Sequence, residues 1–156
     1  MKRILVVSDS HGDVSTLRRI VTLHRDSMAV FHLGDGAADM AAVREEFPDL
    51  TVYQVGGNCD GLFHSYEQEQ ERLLSGHRVW AVHGHRYEVK SSYLRLQYAA
   101  LQRGVEFALF GHTHRPFLHR EEGLTLLCPG SVRDGGHYAL IDITDTGVFA
   151  HLERLY

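Results

Sequence analysis

Cysteine is scarce in this chain: Cys59 and Cys128 are the only two in 156 residues. They form no C-x-x-C pair, which speaks against a disulfide framework and for a reducing, cytoplasmic setting. Positive charge is scarce as well. Lys and Arg number 16 against 20 Asp and Glu, a formal net charge of −4, so neither general nucleic-acid binding nor membrane-surface binding is expected. No apolar run approaches the length of a membrane span, and the N-terminus enters a strand without a basic segment and a long apolar stretch. Linkers, low-complexity segments and internal repeats are lacking too. Residues 1–156 are therefore expected to form one soluble domain without a membrane partner.

What the chain does have is ordinary globular composition, 44% hydrophobic and 23% charged, with an excess of histidine: 12 residues. That is enough apolar material to bury a core without disulfides or a structural metal. So many histidines also produce His motifs by accident, so order and context have to carry any functional reading.

Strand and helix signals alternate through the first third. Arg3 to Val7 is β-branched and apolar after its first residue and ends in the polar loop Ser8-Asp9-Ser10-His11-Gly12. Asp13 is placed to cap a helix whose apolar positions, Val14, Leu17, Ile20 and Val21, follow helical spacing. Ala29 to Leu33 reads as a second strand, ending at Gly34-Asp35-Gly36; a helix with Met40, Val43 and Phe47 on one face follows, stopped by Pro48. Thr51 to Val55 is a third strand. Strand, loop and helix repeated in this way imply parallel pairing with right-handed crossovers.

Beyond Gly57 the pattern changes. Glu71 to Leu74 and Arg78 to Val82 flank Ser75-Gly76-His77 as a hairpin. Ser91 to Gln102 is expected to be helical, with Leu94, Tyr98 and Leu101 in register, and Phe107 to Phe110 reads as a short buried strand. Alternating apolar residues from Phe117 onward suggest three antiparallel strands. The expected architecture is α/β: two sheets packed face to face with helices outside.

Potential metal ligands lie at the strand ends. Asp9 and His11, at i and i+2, would point the same way in an extended segment and grip one ion. Asp35 follows a strand in a Gly-Asp turn, itself a common turn signal. In the metal reading it bridges, one carboxylate oxygen to each ion. Asp39, four residues on, reads as a helix-surface residue or a support for a ligand. Asn58 sits in Gly57-Asn58-Cys59-Asp60, where a neutral amide oxygen suits a site already rich in negative charge; an ordinary Asn turn is the alternative. His83-Gly84-His85 offers two imidazoles; His83 is favoured as ligand and His85 as a substrate-facing or supporting residue. Gly111-His112-Thr113-His114 is the most specific single motif, two histidines able to serve adjacent ions. Hard carboxylate oxygens and borderline imidazole nitrogens together suit divalent transition metals. The other histidines, His24, His32, His64, His77, His119, His137 and His151, read as surface or structural residues.

In this order, D-x-H, G-D, G-N-x-D, H-G-H, G-H-x-H resembles the calcineurin-like metallophosphoesterases, and most closely their small single-domain bacterial and archaeal phosphodiesterase branch. The resemblance spans nearly the whole chain, as far as Pro129-Gly130-Ser131 and the final strands. It implies the four-layer metallophosphoesterase fold, a two-sheet β-sandwich flanked by α-helices. It further implies that Asp9, His11, Asp35 and His114 hold one metal and Asp35, Asn58, His83 and His112 a second. Asp35, Asn58 and His85 are the residues expected to act in catalysis. One departure stands out: Cys59 occupies the position where many members carry a histidine suited to the leaving oxygen, which opens the identity of the acid.

The implied chemistry is hydrolysis of a small phosphate diester. Two ions about 3.5–4 Å apart share Asp35 and a bridging water, supply hydroxide near neutral pH, and need no covalent nucleophile. Manganese is the expected metal; nickel, iron, cobalt and zinc also suit mixed oxygen and nitrogen ligands. Cys59, His85, Arg86 and Arg133 are candidate substrate contacts, Arg86 and Arg133 for the bidentate fork that matches phosphate, with solvated surface charge the weightier reading for both. Specificity is expected from the loops 62–69 and 86–92. Phe63, Tyr66, Tyr93 and Tyr98 are aromatic candidates for a substrate rim or for a homodimer surface, a dimer being the commonest small oligomer. Two other functions share the motifs: a phosphomonoesterase or nucleotidase with the same metals, and a non-catalytic scaffold of the same fold. A scaffold should show substituted ligands, and this chain shows none.

Overall fold

The computed structural model describes residues 1–61 and 66–156. Phe63 and His64 lie outside the described residues. The first sheet is built on β1 (Lys2–Val7), whose Ile4, Leu5, Val6 and Val7 are wholly buried. Buried on both faces, such a run is favoured as a central strand. It pairs in parallel with β2 (Ala29–His32) through Ile4↔Ala29 to Val7↔His32, and β2 pairs in parallel with β3 (Val52–Gln54). The connections are α1 (Val14–Leu23) and α2 (Ala37–Glu46). Asp13 caps α1, its carboxylate accepting the Thr16 N–H at 3.1 Å, as its position predicts.

The second sheet holds β4 (Glu69–Leu74), β5 (His77–Val82), β6 (Phe107–Leu109), β7 (Phe117–Glu121) and β8 (Leu124–Cys128), in the order β4-β5-β6-β8-β7. The β4–β5 hairpin turns on Ser75 (φ 48°) and Gly76 (φ 85°); positive φ at both central residues matches the right-handed twist of the strands. The helix α3 (Leu94–Arg103) covers this sheet. The last two strands, β9 (His137–Thr144) and β10 (Gly147–Arg154), return to the first sheet, whose order is β10-β9-β1-β2-β3.

Three apolar clusters separate four layers. One, with Ile4, Val6, Phe31, Leu33, Val79, Leu109 and Leu127, lies between the sheets. A second joins the first sheet to α1 and α2 through Leu5, Val7, Leu17, Ile20, Met40 and Val43. The third joins the second sheet to α3 through Trp80, Ala108, Phe110, Leu96 and Ala100. Each large side chain buried in this way contributes about 1.5–3 kcal/mol. Among the described residues, no helix is long and apolar enough to cross a membrane.

Three expectations need correction. The C-terminal third holds four strands, not three, and they belong to two hairpins in different sheets, joined by a crossover that carries Gly135 and Gly136. The helix α3 starts at Leu94, three residues later than Ser91, because Tyr93 is drawn into ring contacts with Phe117 (4.5 Å between centroids) and Phe110 (5.1 Å). Its register is also turned. Leu94, Tyr98 and Leu101 face solvent, and Leu96 and Ala100 face the sheet.

Candidate metal centre

The parallel strands of both sheets end at one edge, and the loops there carry the motif residues. Asp9 and His11 follow β1, Asp35 follows β2, Asn58 follows β3, His83 follows β5, and His112 and His114 follow β6. Backbone bonds tie these loops together: Asp9 N–H to Gly34 O (3.0 Å), His11 N–H to Asp35 O (3.0 Å), Gly111 N–H to His83 O (2.9 Å) and Val132 N–H to Ser8 O (3.0 Å).

The i, i+2 pairs do not lie in extended segments as the spacing suggests. Asp9 (φ 54°), His11 (φ 43°), Asp35 (φ 56°), His112 (φ 70°) and His114 (φ 61°) all have left-handed backbone. For residues with a Cβ this conformation costs of order 1–3 kcal/mol each and collects where function demands it. It turns the side chains of a tight loop to one side, which an extended strand end does by alternation.

Six of the seven expected ligands converge. The ligand atoms of Asp9, His11 and His114 lie within 4.8 Å of one another, as do those of Asp35, His83 and His112. Asp9 is wholly buried. Its Oδ2 accepts from Ser8 Oγ (2.5 Å) and from the His112 N–H (3.0 Å). Its Oδ1, buried too, has no hydrogen-bond partner, and three imidazole nitrogens face it: Nε2 of His114 at 3.2 Å, of His11 at 3.5 Å and of His83 at 4.0 Å.

Neighbours set the tautomers. His83 Nδ1–H donates to the Leu33 carbonyl at 2.6 Å, and His114 Nδ1–H donates to Asp134 Oδ2 at 2.6 Å. In the neutral ring each Nε2 then carries a lone pair. His83 Nε2 directs it at Asp35 Oδ2 (3.2 Å), and His114 Nε2 stands 3.1 Å from His11 Nε2. Lone pairs opposed to carboxylate oxygens in a buried cluster fit a cation between them.

The titration behaviour agrees. Burial pushes the His83 pKa down, but the hydrogen bond that the protonated ring makes to Asp35, the Asp9 and Asp35 charges and the Leu33 carbonyl reverse this, and the net direction is up. Burial raises the Asp35 pKa, and the His83 hydrogen bond and charge, the Cys59 N–H and the His11 charge carry it far below the usual carboxylate range. Both directions mean that the cluster calls for positive charge. Burial, His83 and Lys90 press the His112 pKa down to about 4, so this ring is neutral at pH 7 and free to ligate.

Asp35 differs in detail from expectation. Its Oδ1 is occupied by the Cys59 N–H at 2.8 Å, and Oδ2 alone faces both groups, 3.2 Å from His83 Nε2 and 3.8 Å from His11 Nε2. The turn 57–60 presses that N–H against the carboxylate. Gly57 permits the approach: a Cβ there would overlap Asp35. Asp60 holds the same turn. Its two oxygens accept from the N–H groups of Asp35 (2.7 Å), Gly36 (3.0 Å), Ala37 (3.1 Å) and Gly57 (2.8 Å).

The remaining candidates lie around the cluster. Asn58 is exposed, and its amide donates to Cys59 Sγ at 3.5 Å with no hydrogen bond to the cluster. Cys59 is exposed, with Sγ within 4.8 Å of the ligand atoms of His11 and Asp35. His85 is half-buried, its ring 5.4 Å from that of His83 and 6.1 Å from that of His112, and its buried Nδ1 has no partner. Arg86 is exposed on the 3-10 turn His85–Tyr87. Arg133 is engaged with Asp134 at 3.3 Å.

Sequence reading missed two supports. Asp134, which holds His114, lies on the crossover to β9. His32, which reads as an incidental strand histidine, is fully buried and accepts the Gly34 N–H at Nδ1 (3.2 Å). Its Nε2–H then donates to Ser10 Oγ (3.1 Å), which donates to Asp39 Oδ2 (2.7 Å), and Asp39 Oδ2 also accepts the Gly12 N–H (2.8 Å). This chain fixes the loop carrying Asp9 and His11. A histidine inside an apolar strand, one turn from a helix-start aspartate, is the signal that could have revealed it.

Comparison with known proteins places this geometry. The model for the calcineurin-like phosphoesterase superfamily domain matches residues 1–146. A probable metallophosphoesterase of Bacillus subtilis, YsnB, is 31% identical over 133 residues, which cover 83% of this chain and 75% of YsnB. The crystal structure of a predicted phosphoesterase from Streptococcus pneumoniae TIGR4 aligns with a TM-score of 0.84 at 25% identity, covering 98% of this chain and 89% of that one. An archaeal protein described as a phosphodiesterase shares the fold at TM-score 0.73 and 18% identity, covering 97% of this chain and 99% of its own.

Proposed function

The chain belongs to the calcineurin-like phosphoesterase superfamily, and from that footing we propose that it hydrolyses phosphate diesters with two divalent metal ions. The observation that carries this reading is Asp9 Oδ1: buried, without a hydrogen bond, and faced by the Nε2 atoms of His11, His83 and His114. A carboxylate oxygen left unpaired in the interior costs several kcal/mol unless a cation meets it.

Asp9, His11 and His114 would hold one ion, and His83, His112 and Asn58 the other. Asp35 would be shared by both, since its Oδ2 lies between the two groups, 3.2 Å from His83 Nε2 and 3.8 Å from His11 Nε2. For Asn58 this means turning its amide oxygen inward from Cys59. When bound, such a pair supplies a nucleophilic hydroxide near neutral pH and neutralises charge on the phosphoryl oxygens. Manganese suits this donor set of oxygen and nitrogen.

The protein's own part is positioning. Asp134 holds the His114 ring, and the Leu33 carbonyl holds that of His83. His85 is the substrate-side hydrogen-bonding group: burial, His83 and Arg86 lower its pKa, so it is neutral at pH 7 and meets a phosphoryl or leaving oxygen as a hydrogen-bond donor. Cys59, whose thiol is kept protonated by burial and by Asp35, and Arg86 complete the rim. Both thiols are free, which fits a reducing cytoplasm.

The test is a paired assay on protein stripped with chelator and reloaded with manganese. The expected result is turnover of bis-p-nitrophenyl phosphate in excess of p-nitrophenyl phosphate, lost in Asp35→Asn. Preference for the monoester would make it a phosphatase. No turnover with any of several metals would make it a scaffold.

A further inference from the structure

Beside the cluster lies a concavity of about 340 Å³ lined by Val89, Lys90, Tyr93, Thr113 and Arg115. Its walls adjoin the candidate ligands. Thr113 is the residue between His112 and His114, and Val89 packs on Gly84, its Cγ2 3.0 Å from where a Cβ on that glycine would stand, next to His83. A ligand in this concavity would therefore adjoin the candidate cluster.

The charge of the lining is one-sided. Lys90 and Arg115 are its charged residues, and among the described residues neither is ion-paired. Glu88, the acid nearest to Lys90 in sequence, is held by Arg95 at 2.8 Å; of the arginines in the neighbouring loops, Arg133 is held by Asp134, and Arg86 is exposed on the 3-10 turn and does not line the concavity. Two free cations facing one concavity in a chain of net charge −4 is a local reversal of sign, and such reversals concentrate anions. The lysine offers a point charge and the arginine a planar fork, the pair of geometries that phosphate oxygens accept.

The walls are also preformed. Thr113 Oγ1 accepts the Arg115 N–H at 3.1 Å, and the Thr113 N–H bonds the Gly111 carbonyl at 2.8 Å. Pro116 restricts the backbone of Arg115. Tyr93 is fixed by its contacts with Phe110 and Phe117. The volume is at the lower end of small-molecule sites, enough for a nucleoside- or sugar-sized group.

We propose that this concavity is a second anion subsite, and that the preferred substrate is a small phosphate diester bearing a further phosphate group, received by Lys90 and Arg115. This rests on the reading of the cluster as a phosphodiesterase centre. It predicts specificity from the 89–93 and 113–115 segments, not from Arg133, whose guanidinium is committed to Asp134.

The experiment compares two esters that release the same p-nitrophenol: thymidine 5′-(p-nitrophenyl phosphate), and the same compound carrying a 3′-phosphate. In the manganese-loaded wild type the 3′-phosphate should lower KM at least tenfold. In Lys90→Ala/Arg115→Ala the two KM values should become equal, whereas Arg120→Ala, a cation of β7 outside the concavity, should keep the preference. Equal KM values in the wild type, or a preference that survives the double substitution, would overturn the subsite. Calorimetric binding of thymidine 3′,5′-bisphosphate to the metal-free protein gives a second readout. Binding that the double substitution abolishes supports the subsite even where no ester is turned over, an outcome that would sink only the phosphodiesterase reading. No binding to the wild type would overturn the subsite.

Discussion

His114 Nδ1 and Asp134 Oδ2 are 2.6 Å apart, and this bond joins the loop after β6 to the crossover that leads into β9. It fixes the ring so that Nε2 faces Asp9 Oδ1 at 3.2 Å. Burial plays little part: the Asp134 side chain is 47% exposed. The carboxylate is anchored by its own backbone, the Asp134 N–H donating to Ser131 Oγ at 3.0 Å. Because it touches the ligand and not the core, Asp134→Ala should leave folding unchanged and weaken metal binding about 10–100-fold. Competition with a chromophoric chelator measures this. Undiminished affinity would show that the bond has no bearing on the ligand.

Gly57 is a steric requirement. A Cβ at this position would overlap the Asp35 carboxylate and crowd its backbone nitrogen. Both neighbours are fixed, one by the Cys59 N–H and the other by Asp60, so neither can yield cheaply. Gly57→Ala is expected to cost about 1–3 kcal/mol of stability, the range for overpacking, and to lower metal stoichiometry. Denaturant unfolding and metal analysis of the variant check the two effects.

His32 makes stability depend on pH. Burial lowers its pKa from 6.5 to about 4, so the fold holds the neutral ring. Above pH 6.5 the ring is neutral folded or unfolded and the effect is nil. Below 6.5 the unfolded chain takes up the proton first, and stability falls until the folded pKa is passed near 4. The loss contributed by this residue is about 2 kcal/mol by pH 5 and about 3 kcal/mol at its limit. Urea unfolding of the metal-free protein at pH 7.5 and pH 5 should show a steeper decline for wild type than for His32→Gln. Parallel curves would contradict the assignment.

Substitution of His85 is expected to separate chemistry from metal binding. Its Nδ1 has no partner, and its ring stands beside His83 and His112. In His85→Asn both ions should remain, and kcat should fall about 10²-fold, the low end for a lost proton-transfer or hydrogen-bonding group. Loss of a metal in this variant would make His85 a ligand.

The order of strand-end motifs made much of the site legible. Asp9, His11, Asp35, His83, His112 and His114 converge because each lies in the loop that follows a buried parallel strand, and parallel strands of both sheets end at one edge. Local pattern could not show what is set by tertiary position. Asp134 is 20 residues from His114 and meets it only through the crossover. The register of α3 misled because Leu94, Tyr98 and Leu101 have the spacing of a core face, yet Leu96 and Ala100 are the residues buried against Trp80, Ala108 and Phe110. The Asp60 carboxylate is another such case. It receives four backbone N–H groups, that of Asp35 among them, because the turn 57–60 and the loop leading into α2 both present theirs to it. Lys90 and Arg115 are far apart in sequence and share a concavity only once the strands β5 and β6 are side by side.

The central claim is that the six converging side chains and Asn58 hold two metal ions through Asp35. Metal content per chain tests it most directly, measured by mass spectrometry on protein stripped, reloaded with manganese and freed of excess by gel filtration. The expected result is two ions per chain in the wild type, falling to one or none in Asp35→Asn with the fold intact by circular dichroism. One ion or none in the wild type, or two ions undisturbed in Asp35→Asn, would contradict a centre shared through that carboxylate.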